Sequence, residues 1–130
     1  MKVLLDTHTL LWWHANDPRL SAYARGIISA PSTEVLVSAA SAWEIATKAR
    51  IGKLIGVERF VSDFDEAVSQ DGFRHLAVTH RHALLAGSFI HAHRDPFDRM
   101  LAAQGLIEDA LILSNDAELK AFGVRVAWDV

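Results

Sequence analysis

Four acidic residues spread along the chain have the chemistry to hold a divalent cation: Asp6, Glu44, Asp98 and Asp116. Each also has an ordinary structural explanation. Asp6 and Asp116 can cap helices, Asp98 lies near a predicted helix start, and Glu44 can pair with Lys48 one turn later. Four carboxylates that met in one pocket would repel each other unless a cation lay between them. Oxygen ligands of this kind suit Mg²⁺ or Mn²⁺, so the set indicates a candidate metal site.

The segment 94–99 contains two acids, Asp95 and Asp98, for which the sequence predicts different roles. Pro96 suits the first position of a helix, because that position needs no N–H donor. Asp95 then falls at the N-cap, and Asp98 falls on the first turn. We therefore expect Asp95 to be structural or to support the site indirectly, and Asp98 to face a ligand.

Short apolar runs alternate with helical patterns along the whole chain. Strands are predicted at 2–5, 34–38, 73–78, 111–113 and 124–128, and helices after Thr7 and at 20–30, 39–51, 57–70, 79–87, 95–109 and 116–122. This alternation predicts an α/β fold with a parallel sheet covered by helices on both faces. Asp6 and Asp116 then follow the first and fourth strands, at the edge where such folds bind ligands.

The stretch 57–70 is predicted to form one amphipathic helix. Its apolar residues recur at helical spacing and would form a single buried face. They are Phe60, Val61, Phe64, Ala67 and Val68.

Length and composition exclude several classes of protein. With 130 residues the chain forms one domain, residues 1–130, and its net charge of −3 excludes a broad basic surface for nucleic acid. The lack of cysteine excludes disulfides and thiolate metal sites. No apolar run reaches the roughly 18 residues of a membrane span, and the N-terminus lacks the features of a signal peptide. We therefore expect a cytoplasmic protein.

Four blocks of sequence closely resemble PIN-domain proteins, and most of all the VapC-like ribonuclease toxins of bacterial toxin–antitoxin pairs. The blocks are 4–13, 41–45 with 52–54, 93–104 and 114–116, and they occur in the family's order along essentially the whole chain. The resemblance implies a three-layer α/β/α domain with a five-stranded parallel sheet. It also implies a metal-dependent endoribonuclease that hydrolyses phosphodiester bonds with Mg²⁺ or Mn²⁺.

The family's acidic positions match Asp6, Glu44, Asp98 and Asp116, which would bind the metal and support catalysis. Ser114 matches a small hydroxyl residue that is expected to contact substrate or water. The resemblance further implies an RNA substrate, a homodimer, and a small antitoxin whose tail covers the active-site groove, within a larger toxin–antitoxin assembly.

Arg94 and Arg99 have two explanations that the sequence leaves open. Either arginine could contact an RNA phosphate, or it could form an ion pair with a neighbouring acid. Both flank the acids of the segment 94–99, so proximity alone does not separate the two roles.

Histidines provide a competing zinc hypothesis. His91, His93 and Asp95 match a His-x-His-x-Asp spacing used by zinc hydrolases, but Pro96 stands where those enzymes need a further ligand. The zinc reading is therefore the weaker one. His8, His80 and His82 are expected to lie at the surface or to cap helices, and His8 could also lie near the metal pocket.

A catalytically silent binding module with the same fold is the other alternative. Trp12, Trp13 and Trp43 are large side chains at predicted helix positions. We expect at least one of them in the core, and one or two could line a groove for an apolar partner helix.

Overall fold

The computed structural model describes residues 1–91 and 93–129 and shows a parallel sheet of five strands, in the order β3-β2-β1-β4-β5. The strands are β1 (Lys2–Leu5), β2 (Glu34–Ser38), β3 (Arg74–Leu76), β4 (Leu111–Leu113) and β5 (Val126–Ala127). The predicted α/β fold is confirmed. β1 is central, pairing Val3 with Val35 on one side and with Leu111 on the other.

Helices occupy most of the connections between strands. They are α1 (Thr7–His14), α2 (Ala22–Ser29), α3 (Ala39–Arg50), α4 (Glu58–Ser62), α5 (Phe64–Ser69), α6 (His80–Ser88) and α7 (Pro96–Glu108), with a 3₁₀ helix at Ala117–Phe122. Nowhere in residues 1–91 and 93–129 does a helix have the length and apolar character needed to cross a membrane.

Alternating side chains of the central strands divide the core into two layers. Val3 and Leu5 of β1 pack with residues of α1 to α5, including Leu10 and Ile45. Leu4 points to the opposite face and packs with residues of α7 and the 3₁₀ helix. Successive residues of a strand point to opposite faces, so both faces of the sheet are covered, as the three-layer architecture requires.

The predicted helix over 57–70 is wrong in one respect, because the chain breaks at Asp63. The backbone of Asp63 leaves the helical region (φ −151°, ψ 65°), and its carboxylate accepts a hydrogen bond from the Glu66 N–H at 3.3 Å. This local cap starts α5 as a separate helix, in competition with continuation of α4. Val61, predicted to be buried, consequently has 52% of its surface exposed.

The order of the strands creates a crevice beside β1. The chain builds outward from β1 through β2 to β3, then crosses back to place β4 on the other side of β1. Ligands of parallel α/β sheets bind at such a reversal, beyond the carboxyl ends of the strands. Asp6 follows β1 there, and Ser114 follows β4.

Gly105 allows α7 to approach the sheet closely. A Cβ atom at this position would lie 2.7 Å from Val124 Cγ2 and 3.2 Å from Ile112 Cγ1. We predict that Gly105→Ala lowers the free energy of unfolding by about 1–3 kcal/mol, because a methyl group would overpack this contact. Urea denaturation monitored by circular dichroism measures the change.

Gly26 of α2 is the matched control, because no atom lies within 4 Å of a Cβ built there. Gly26→Ala should raise the free energy of unfolding by about 0.5–1 kcal/mol, through helix propensity alone. Equal effects of the two substitutions would contradict the role of close packing at Gly105.

Candidate metal and active site

The fold brings all four predicted acids to the carboxyl edge of the sheet, each from a different element. Asp6 follows β1, and Asp116 begins the 3₁₀ helix after β4. Glu44 lies on the second turn of α3, which starts directly after β2. Asp98 lies on the first turn of α7, which starts at this edge because it leads back to the beginning of β4.

Asp6 is buried and is connected to the end of β4 by a hydrogen-bonded hydroxyl. Ser114 Oγ donates to Asp6 Oδ2 at 2.6 Å and accepts from the Asp116 N–H at 3.0 Å. Burial raises the pKa of Asp6, the Ser114 hydroxyl and the Thr7 N–H lower it, and the charge of Glu44 raises it. Asp6 is therefore a carboxylate whose negative charge needs compensation.

Two threonines of α1 fix the backbone on which Asp6 lies. Thr9 Oγ1 donates to the Leu113 carbonyl at 2.7 Å, and the Asp6 N–H donates to the same oxygen at 3.1 Å. Thr7 Oγ1 donates to Ser41 Oγ of α3 at 3.0 Å. Thr7, Thr9 and Ser41 are all buried. They therefore attach α1 rigidly to β4 and α3 around the acid.

Glu44 is buried beside Asp6 and forms an ion pair with Lys48 on the next turn of α3. Burial lowers the pKa of Lys48, but the bond to Glu44 and the charges of Glu44, Asp95 and Asp98 outweigh it, and the net shift is upward. The Lys48 ammonium thus acts as a counter-ion for several of the acids.

Asp98 is the second acid of the site whose pKa is raised. Burial raises its pKa to about 6, the hydrogen bond from His93 lowers it, and the charges of Asp95 and Asp6 raise it. His93 Nε2 lies 2.8 Å from Asp98 Oδ2, and this contact raises the pKa of His93. The other ring nitrogen, Nδ1, lies 3.7 Å from Glu118 Oε2. The imidazole therefore bridges α7 and the 3₁₀ helix.

Asp95 caps α7, as the sequence predicts. Its Oδ1 accepts hydrogen bonds from the N–H groups of Phe97 at 2.9 Å and Asp98 at 3.3 Å, with Pro96 at the first helical position. The carboxylate thereby fixes the helix turn that carries Asp98. Asp116 caps the 3₁₀ helix in the same way, accepting from the Glu118 N–H at 3.0 Å.

The two arginines of this segment behave differently. The Arg99 guanidinium donates four hydrogen bonds to backbone carbonyls, those of Ala86, Phe89, His91 and His93. Among the described residues Arg99 forms no ion pair with a neighbouring acid; its guanidinium instead holds the loop before α7 in place. Arg94 is exposed beside the site.

The donor set is suited to a hard divalent cation, although the carboxylates are not closed around one point. Across the two described ranges, no three His, Asp or Glu side chains are grouped tightly enough to hold one metal ion. Lys48 and His93 instead neutralise Glu44 and Asp98.

The histidines of the zinc hypothesis have other partners. His91 Nδ1 accepts the His93 N–H at 3.0 Å, and Asp95 is engaged as a helix cap. His82 is a buried capping residue of α6 whose Nε2 lies 2.9 Å from Glu108 Oε2, whereas His80 is exposed. His8 is exposed, and its charge lowers the pKa of Asp6, so it does lie near the acids.

None of the three tryptophans considered from sequence is fully buried. Trp13 comes nearest to the expected core position, packing against Phe73 and donating from Nε1 to Asp71 Oδ2 at 3.3 Å. Trp12 is half-buried between His8 and Trp128, and Trp43 is 58% exposed.

Sequence reasoning missed the parts played by His93, Thr7 and Ser41. It treated His93 only as a zinc ligand, although its position five residues before Asp98 in the segment that leads into a helix allows the two side chains to meet. Thr7 and Ser41 carry no local signal for their mutual contact, since 34 residues separate them.

The raised pKa of Asp98 makes a pH-dependent stability prediction. Its pKa of about 6 in the folded chain exceeds the ordinary 3.8, so Asp98 favours folding below pH 4 and that contribution is lost as the pH rises through 6. We compare the unaltered chain with Asp98→Asn at two pH values, with chelator present. The substitution should change the free energy of unfolding more favourably at pH 8.5 than at pH 4, by on the order of 2 kcal/mol. Urea titrations at both pH values provide the comparison.

Asp17→Asn is the control of opposite sign. The guanidinium of Arg19 lowers the pKa of Asp17 to about 2, so its charge stabilises the folded chain at pH 8.5 and its replacement should destabilise. If Asp98→Asn destabilised the chain equally at both pH values, a cost of burying the charged form of Asp98 would be contradicted.

Known proteins share this sequence pattern and fold. Over 69 residues the chain is 41% identical to Ribonuclease VapC16 of Mycobacterium tuberculosis (strain ATCC 25618 / H37Rv). The matching region covers 50% of this chain and 49% of the relative, so the chain spans about half the length of that curated relative. VapBC2 of Rickettsia felis, solved bound to a DNA fragment from the promoter, superposes with a TM-score of 0.68 at 16% identity over 99% of this chain and 100% of its own.

VapBC-1 of nontypeable Haemophilus influenzae superposes with a TM-score of 0.62 at 14% identity, covering 98% of this chain and 97% of its own. At these identities the likeness shows the fold. The PIN domain model matches residues 3–124, which include all four acids at the carboxyl edge of the sheet. The chain therefore belongs to the PIN domain family.

Proposed function

We propose that this chain is a metal-dependent endoribonuclease of the VapC type, which hydrolyses phosphodiester bonds of RNA. The observation that carries the proposal is the proximity of Asp6 to Glu44 and to Asp98 at one edge of the sheet. Burial and the charge of Glu44 raise the pKa of Asp6, and burial and the charges of Asp95 and Asp6 raise the pKa of Asp98. The similarity to Ribonuclease VapC16 supports RNA as the substrate.

Each residue of the site has a separate task in this proposal. Asp6, Glu44 and Asp98 would hold Mg²⁺ or Mn²⁺, with Asp116 binding directly or through water. When bound, the metal lowers the pKa of water and neutralises charge on the phosphate. Ser114 orients Asp6 through its 2.6 Å hydrogen bond, and Asp95 fixes the turn that carries Asp98.

Lys48 and His93 would release their carboxylates as the metal binds. Each cation pairs with its carboxylate through its side chain, so each would then be available to a second negative group, the RNA phosphate. Arg94, exposed at the start of the same segment, would add a further phosphate contact. Such local cations fit a chain whose net charge is −3.

The purified chain should cleave RNA with Mg²⁺ or Mn²⁺ and stop with chelator. We predict that Asp6→Asn and Asp98→Asn each reduce the cleavage rate by about a hundredfold or more, because each removes a ligand charge at the reacting phosphate. A second readout is thermal: Mn²⁺ should raise the unfolding midpoint of the unaltered chain and have little effect on Asp98→Asn, since a ligand of the folded state stabilises it.

Asp65→Asn is the matched control, because Asp65 is an exposed acid that pairs with His75 away from the site. It should retain full cleavage and the full Mn²⁺ response. Cleavage that survives both Asp6→Asn and Asp98→Asn would overturn the proposal. A chain that binds a protein partner tightly but neither responds to Mn²⁺ nor cleaves RNA would instead be a silent binding module.

The proposed partner is a small antitoxin, in keeping with the VapBC complexes that share this fold. An apolar cavity of about 430 Å³ lies between α3 and α4 and is lined by Ala49, Leu54, Ile55 and Val61. Ile55 is 90% exposed, and Trp12 lines the adjoining groove. An amphipathic antitoxin helix would bury this surface, with the antitoxin tail extending over the acids.

Co-expression with the product of the neighbouring small open reading frame tests the partner. We predict that Ile55→Asp abolishes co-purification, since it places a charge in the apolar cavity, whereas Leu84→Asp, at an exposed position of α6, leaves it intact. Light scattering of the free chain tests the proposed homodimer, and the mass of the complex tests a larger assembly. A cytoplasmic location, proposed from the RNA substrate, is tested by cell fractionation.

A further inference from the structure

Trp43 is an exposed aromatic side chain directly beside the acids of the site. It precedes buried Glu44 on α3, yet 58% of its own surface is exposed. All four tryptophans lie in the described ranges, and the other three, Trp12, Trp13 and Trp128, are half-buried. The indole of Trp43 is thus the most exposed of the four.

The indole ring is held in a defined orientation by Phe97. Their ring centroids lie 4.7 Å apart with an interplanar angle of 69°, an edge-to-face arrangement. Phe97 is buried and is the neighbour of Asp98, and the Lys48 ammonium lies 5.9 Å from its ring centroid. Because the two rings are nearly perpendicular, Phe97 leaves at least one face of the indole uncovered. Trp43 therefore presents a flat apolar face on a ring pair whose members precede Glu44 and Asp98 in the chain.

We propose that Trp43 stacks on an unpaired RNA base adjacent to the phosphate that is cleaved, and so positions single-stranded substrate over the acids. This inference rests on the proposed ribonuclease function and adds a substrate-binding residue to it. A π face accepts any base, and base–aromatic stacking needs no basic surface. Stacking is also the main way in which proteins hold the splayed bases of single-stranded RNA. The acidic chain could thus bind RNA through one indole and a few local cations.

Binding is tested without cleavage, using a short single-stranded oligouridylate in Ca²⁺. The tryptophan fluorescence of the unaltered chain should be quenched on binding, and Trp43→Phe should lose that quenching while keeping its affinity, because phenylalanine still stacks. Trp43→Ala should weaken binding about tenfold or more, measured by anisotropy of the labelled oligouridylate. Trp12→Phe should leave the quenching in place, and circular dichroism confirms that each variant is folded.

Cleavage provides an independent arm, using an RNA that the unaltered chain cuts. A single abasic nucleotide is moved along the RNA on both sides of the cut. At the stacking position the abasic nucleotide should raise the KM of the unaltered chain about tenfold. It should have little further effect on the KM of Trp43→Ala, because removing the base and removing the indole abolish the same interaction. Additive effects would contradict direct stacking.

The two proposals fail in different ways. Absence of cleavage together with quenching at Trp43 would support stacking and overturn only the nuclease function. Cleavage with equal oligouridylate affinity of the unaltered chain and Trp43→Ala would overturn stacking and keep the nuclease. A lower molecular mass of Trp43→Ala in light scattering, with unchanged affinity, would also overturn stacking and assign the indole to contact between two copies of the chain.

Discussion

Negative charge held out of water at the carboxyl edge of the sheet is the constraint on which the site depends. Asp6 is buried where β1 meets β4, Glu44 is buried beside it, and Asp98 approaches from α7. Charges in this arrangement destabilise a folded chain unless they are neutralised or hydrogen-bonded. Most of the polar detail nearby does one of these two things: Ser114 donates to Asp6, Lys48 pairs with Glu44, and His93 pairs with Asp98.

Short, buried contacts between elements keep the acidic side chains at fixed positions relative to one another. Thr9 fastens α1 to the end of β4, and Thr7 meets Ser41 of α3. Arg99 likewise fixes the loop before α7 by donating hydrogen bonds to its carbonyls. His93 is thereby held within hydrogen-bonding distance of Asp98. The carboxylates are therefore fixed by buried contacts between elements, whereas Lys48 and His93 balance them through side-chain ion pairs. This division suits a site that exchanges one positive partner for another.

Much of the architecture could be predicted because the local signals agree with each other. Apolar strands, the Pro96 helix start and the Asp95 cap all indicate elements that the structure contains. The break at Asp63 was missed because the apolar spacing of 57–70 continues across it, and only the Asp63 cap reveals the interruption. The positions of Asp6 and Asp116 at the edge followed from topology, whereas Glu44 and Asp98 were assigned through the family resemblance. The contacts of Arg99 and of Thr7 with Ser41 could not be predicted, since they join residues whose separation in space depends on the packed tertiary structure.

The edge strands are very short, with three residues in β3 and two in β5. So few free N–H and C=O groups give an incoming segment little opportunity to extend the sheet. Association with another molecule would accordingly depend on helices and loops, which make their contacts through side chains. Backbone pairing does not depend on side-chain identity, and here it would contribute little to recognition. A partner would therefore be selected by side-chain chemistry, which can differ between chains of the same fold.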